Sequence, residues 1–165
     1  MPNSSFSANI ETGSDFTSYG CDKVTFLFSA NKQVASQDIN KVASGGEISR
    51  VMLAIKSIIA SSLAMPAVIF DEIDTGVSGD IADKMGNIMK QMSENMQVVS
   101  ITHLPQVASK GQNHYLVYKV DDEKSTTTKI KLLLGEDRVV EIAKMLSGEQ
   151  ISNAAITNAR VLLNN

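Results

Sequence analysis

The stretch Ala67-Val-Ile-Phe-Asp-Glu-Ile-Asp74 decides the fold. Four apolar residues run directly into three carboxylates within four positions. A run so short and apolar, stopped abruptly by acids, predicts a strand buried on both faces whose carboxyl end reaches solvent. Pro66 closes the region before it. Gly76 and Gly79 punctuate a loop after it, and a helix then carries Ile81, Met85, Ile88, Met89 and Met92 on one face. Those methionines suit core filling better than a cofactor box. Gln97-Val-Val-Ser-Ile101 predicts a second buried strand, ending in Thr102-His-Leu-Pro105. Strand, helix and strand in this order predict an α/β fold with a mostly parallel central sheet flanked by helices.

Upstream, Ser44-Gly-Gly-Glu47 precedes apolar residues at Ile48, Val51, Met52, Ile55, Ile58, Ile59 and Leu63. That spacing predicts a helix with one continuous apolar stripe. Ser44 and Glu47 match a capping box, which starts the helix right after the glycines. Further back, Lys23-Val-Thr-Phe-Leu-Phe-Ser29 reads as a strand, residues 5–11 alternate, and residues 30–41 form a polar connection. Downstream, residues 114–120 and 126–134 predict two more strands, with Asp121-Asp-Glu123 turning between them. Residues 137–146 and 151–163 predict amphipathic helices separated by Ser147-Gly148. The sequence holds no internal repeat. We expect one domain over 1–165: strands and a connection in 1–41, the core in 42–120, a strand and two helices in 121–165.

Composition narrows the class. With 43% hydrophobic and 20% charged residues in 165, the chain suits a soluble globular domain with its own core. A net charge of -3 and no Lys/Arg cluster argue against a dedicated nucleic-acid surface within this segment. The single cysteine, Cys21, excludes an internal disulfide and suits a reducing compartment. The start of the chain lacks the pattern of a signal peptide, and the longest apolar stretch is interrupted by Lys56 and serines. These features predict a cytoplasmic protein without a membrane partner.

In open parallel sheets, ligands sit beyond the carboxyl ends of the strands. One strand delivers Asp71, Glu72 and Asp74 to that edge, and the next delivers Thr102 and His103. Such a set suits Mg-nucleotide hydrolysis. The first acid can hold Mg2+, the second can polarise the attacking water, and an imidazole can hydrogen-bond a phosphate. Taken singly, acids at a strand end often only cap the next helix, and a lone histidine is commonly structural. Ser44, Gly45 and Gly46 at a helix start offer N–H groups and a positive dipole end to an anion, although a capped glycine turn alone would look the same.

Together the motifs resemble a known family. Ser44-Gly-Gly-Glu-Ile-Ser-Arg50, Val68-Ile-Phe-Asp-Glu-Ile-Asp74, Gly76-Val-Ser-Gly79 and Thr102-His-Leu-Pro-Gln-Val-Ala108 resemble the signature motif, Walker B, D-loop and switch histidine of ABC-type ATPases. The wording Ala43-Ser-Gly-Gly-Glu-Ile-Ser-Arg-Val-Met-Leu-Ala-Ile-Lys56 is close to the RecN family of bacterial DNA-repair ATPases, relatives of the SMC ATPases. Phe26-Leu-Phe-Ser-Ala-Asn31 and Glu141-Ile-Ala-Lys-Met-Leu-Ser-Gly148 extend the resemblance over nearly the whole chain. Asn31-Lys-Gln33 departs from it, where relatives often carry a glycine.

The resemblance implies the C-terminal lobe of an ATPase head. Glu72 would be the catalytic base, His103 the γ-phosphate sensor and Asp71 the Mg2+ ligand. Ser44, Gly45, Gly46 and Glu47 would form the nucleotide-binding signature, acting on ATP held by the opposing subunit. Asp74 and Ser78 would lie at the dimer interface. No phosphate loop G-x-x-x-x-G-K-[ST] occurs in the sequence, and no sustained heptad. The resemblance therefore implies a chain beginning after a coiled coil and inactive alone. Its partners would be the missing N-terminal half of the head with Walker A, a second head, and DNA engaged through the full-length, nucleoid-associated protein. Two other readings stay open: a non-catalytic dimerisation module, and a self-sufficient Mg-dependent phosphohydrolase using Asp71, Glu72, Asp74 and His103.

Overall fold

The computed structural model describes residues 3–42, 44–122 and 125–164. Two compact units divide the chain, Met1–Met52 and Leu53–Asn165. Ala43 and Glu123, parts of the quoted motif and of the expected acidic turn, lie outside the described residues.

The first unit is built on β1 (Ser5–Thr17) and β2 (Gly20–Ser29), paired antiparallel. Partners such as Phe6 and Phe28, Ala8 and Phe26, and Ile10 and Val24 share one face, while Ser7, Asn9 and Glu11 take the other. Phe6 and Phe26 stack with ring centroids 5.6 Å apart. The alternation noted at residues 5–11 thus continues as a strand to Thr17, beyond the expected run. Inside the connection lie β3 (Gln37–Asp38), paired to β2, and α1 (Ile39–Val42). Both are too short to leave a periodic signal. At Asn31 a side chain makes the turn without glycine: Gln33 N–H donates to Asn31 Oδ1 at 3.0 Å. Buried Ser29 donates to the carbonyls of Asn31 and Val34 at 2.6 and 2.7 Å.

Helix α2 (Gly45–Ser62) begins on the glycines themselves. The stripe predicted for it is only partly buried. Val51 is inside, but Ile48, Met52, Ile58, Ile59 and Leu63 are exposed, and Leu53 and Ala60 carry the buried face instead. The chosen stripe follows the helical period, but a second apolar face was available, and packing selected that one.

In the second unit, β4 (Ala67–Asp71) and β5 (Gln97–Ile101) pair in parallel, joined through α3 (Gly79–Met92). The parallel sheet is present as these two strands. The expectation of burial on both faces does not hold. Phe70 is fully buried, with Val68 and Val98 half-buried on its side, while Ile69 (64%), Val99 (41%) and Ile101 (52%) are exposed on the other. Among the described residues, the core packs against the Phe70 face alone. Lys56 Nζ sits 5.7 Å from the Phe70 ring centroid.

The core beneath joins Leu53, Ala60, Phe70, Val77, Ala82, Met85, Met89, Met92 and Val107. The methionines of α3 do fill it, whereas Ile81 and Ile88 point outward at 41% and 38% exposure. Gly86 lets α3 approach α4 (Pro105–Ala108) closely, since a Cβ there would lie 3.1 Å from the Gln106 carbonyl oxygen.

Strands β6 (His114–Asp122) and β7 (Ser125–Leu133) form a separate antiparallel hairpin. Helices α5 (Gly135–Ser147) and α6 (Asn153–Asn164) pack around Val139, Ile142, Ala143, Ala155 and Ala159. Arg138 of α5 donates to the carbonyls of Ser109, Gly111 and Gln112, tying α5 to the segment after α4.

Candidate functional site

The parallel register sets the geometry of the acidic edge. Asp71, the last residue of β4, is opposite Ile101, the last of β5, and Glu72 N–H donates to the Ile101 carbonyl at 3.0 Å. Asp71 and Glu72 therefore emerge beside Thr102 and His103, as the sequence predicted. Asp71, Glu72 and His103 are exposed and Thr102 is half-buried.

Glu72 has φ +45°, in the left-handed region that a glutamate seldom occupies. The turn that follows is held by Thr75, whose N–H and Oγ1 both donate to the Glu72 carbonyl at 3.1 and 2.8 Å. Val77 N–H donates to the Asp74 carbonyl at 3.2 Å, and Gly76 takes φ +77°. Ser78 is exposed, in extended conformation ahead of α3, with no side-chain bond to the helix. Gly79 at φ +56° opens that helix.

Asp74 lies inside the chain, 1% exposed. Its Oδ2 accepts a hydrogen bond from Thr102 Oγ1, while Oδ1 is buried with no hydrogen-bond partner among the described residues. Thr102 Oγ1 in turn accepts from Leu104 N–H at 2.9 Å. Asp74 and Thr102 are 28 residues apart, so no local pattern could have announced this bond.

The glycine-rich set belongs to the first unit. Its capping box is formed as expected. Ser44 N–H and Oγ donate to Glu47 Oε2 at 2.8 and 3.0 Å, and Glu47 N–H approaches Ser44 Oγ at 3.4 Å. These bonds, with nearby Arg50, hold the Glu47 carboxyl below its ordinary range. Gly45 is exposed, and a Cβ there would meet nothing within 4 Å. With the amides of Ser44 and Glu47 taken up by the capping box, the exposed glycine amide at this terminus is that of Gly45. Gly46 is buried.

Mg2+ bound alongside nucleotide takes one or two carboxylates, with phosphates and water completing the shell. An exposed Asp71 at the strand end fits that demand. A dedicated protein cage does not form: among the described residues, no three of His, Cys, Asp and Glu gather as a metal-holding group. No described helix is long and apolar enough to cross a membrane.

No family model matches the chain. It is 42% identical over 163 residues to the DNA repair protein RecN of Rickettsia bellii, covering 99% of this chain and 30% of that protein. Against the protein of the same name from Bacillus subtilis it is 43% identical over 147 residues, covering 89% and 26%. The chain thus spans under a third of the length of these relatives. Among solved structures, an Smc head domain with coiled coil and joint from Pyrococcus yayanosii superposes with TM-score 0.70 at 18% identity, covering 88% of this chain and 26% of that one. An SMC ATPase structure from work on ATP-driven dimerisation and DNA-stimulated activation matches with TM-score 0.59 at 16% identity, covering 88% and 83%. The fold is therefore that of an SMC-type head segment, and the chain is homologous to the C-terminal part of the proteins named DNA repair protein RecN.

Proposed function

We propose that the chain is the C-terminal segment of an ABC-type ATPase head in a RecN-like protein that serves DNA double-strand-break repair and recombination. The register that sets Asp71 and Glu72 beside Thr102 and His103 carries this reading. Glu72, exposed at the strand end, takes the proton of the attacking water. His103 hydrogen-bonds the terminal phosphate, and Asp71 would hold Mg2+, which supplies charge neutralisation when bound. The open helix start at Ser44, Gly45, Gly46 and Glu47 faces ATP held by a second head, with Ser78 at the contact between heads. Asp74, being buried, acts within the chain rather than as a contact surface.

The phosphate loop comes from the N-terminal half of the head, so this chain alone does not turn over ATP. Segments 1–41, 42–120 and 121–165 are parts of one lobe. DNA is engaged by the full-length protein, in the cytoplasm on the nucleoid. The names of the relatives support the repair role, and dimerisation driven by ATP is described for an SMC ATPase of the same fold. The phosphohydrolase reading is disfavoured, because Asp74 is committed to Thr102.

Mixing the chain with the N-terminal half and measuring ATP turnover tests the proposal. The reconstituted head should hydrolyse ATP, and Glu72→Gln should lower kcat by about 100-fold or more, the usual scale for a general base. Equal turnover by the variant would remove Glu72 from its role.

A further inference from the structure

We propose that Asp74 and Thr102 are positioning residues that pin the backbone on both sides of His103 to the turn carrying Glu72. Leu104 N–H donates to Thr102 Oγ1, and Thr102 Oγ1 donates to Asp74 Oδ2. His103 lies between the two residues so held. Asp74 is two residues beyond Glu72, and the intervening turn is closed by Thr75 on the Glu72 carbonyl. One buried carboxylate therefore fixes the histidine-bearing turn against the glutamate-bearing turn.

A hydroxyl is the group this relay requires, because it accepts from Leu104 while donating to Asp74. An isosteric valine can do neither. The buried carboxylate would then lose its partner, and the Leu104 amide its acceptor. Serine keeps both bonds. In this arrangement the relay touches no substrate. It sets the separation between the exposed base that serves the attacking water and the exposed imidazole that serves the phosphate.

The inference rests on the ATPase reading only for its catalytic consequence, so the test has two arms. In the isolated chain, amide exchange at Leu104 should accelerate about five- to tenfold in Thr102→Val, the scale of one lost hydrogen bond. It should return toward the parent rate in Thr102→Ser, with amides of β5 unchanged in both. In the head reconstituted with its N-terminal half, Thr102→Val should lower kcat at little change in KM, and Thr102→Ser should restore it. Unchanged exchange at Leu104 in Thr102→Val overturns the relay, as does a serine variant that fails to restore it. A reconstituted parent head without ATPase activity overturns the proposed function instead, leaving the exchange result to judge the relay. If the valine variant loosens the whole of β5, the exchange arm reports general unfolding and the local relay is rejected.

Discussion

At the scale of single residues, His114 shows how burial sets chemistry at a distance from the acidic edge. It is half-buried, and its Nδ1 has no hydrogen-bond partner among the described residues. Burial first, and the charge of Arg138 second, push its pKa below the ordinary histidine value. The folded chain resists a proton that the unfolded chain accepts. Stability from this source is therefore complete above the ordinary histidine range, about 6.5, and declines as pH falls from there through the lowered folded value. Urea denaturation between pH 7.5 and 5.5 should show this loss, and His114→Gln should flatten the profile. A variant with the parent's slope would place the titration elsewhere. Glu72 carries a different constraint: its left-handed backbone costs about 1–2 kcal/mol for a residue with a Cβ. A position chosen for the turn alone would favour glycine.

Among elements, α2 is the one whose cap was most legible and whose face was least so. The capping box involves neighbours three residues apart, so the sequence contains all of it. Ser44→Ala should cost about 1 kcal/mol, measured by thermal or chemical unfolding. The same change should let the Glu47 pKa rise only in part, since the Ser44 backbone N–H, the larger cause, remains while the hydroxyl is lost; a carboxyl-detected NMR titration would follow this. Because the folded pKa is depressed, this contribution is present above the unfolded value and is lost as pH falls through the folded one. The buried face of α2 was not legible, since helical period fits more than one stripe on a helix this apolar. Strands β4 and β5, with the carboxylates that end β4 and the Thr102-His103 pair that ends β5, were readable from run length and composition. Elements of two to four residues, β3, α1 and α4, hold too few positions for a period. The bond between Asp74 and Thr102 needed the fold itself, because parallel pairing brings together residues that are remote in sequence.

For the whole molecule, the parallel sheet is the decisive feature. Among the described residues each of its strands has one neighbour, and one face bears Ile69, Val99 and Ile101 in the open. Exposed apolar surface of this kind drives association. Sedimentation across a range of concentrations should show the isolated chain self-associating, and addition of the N-terminal half should suppress this. A chain that stays monomeric at every concentration would mean that the bare face is tolerated. The same sheet has a consequence for the life of the protein in a cell. Unpaired strand edges beside an apolar surface are what chaperones and proteases engage on unfinished chains. On the proposed reading, the abundance of this segment would be set by how promptly the N-terminal half of the head arrives, which makes its lifetime a measure of assembly.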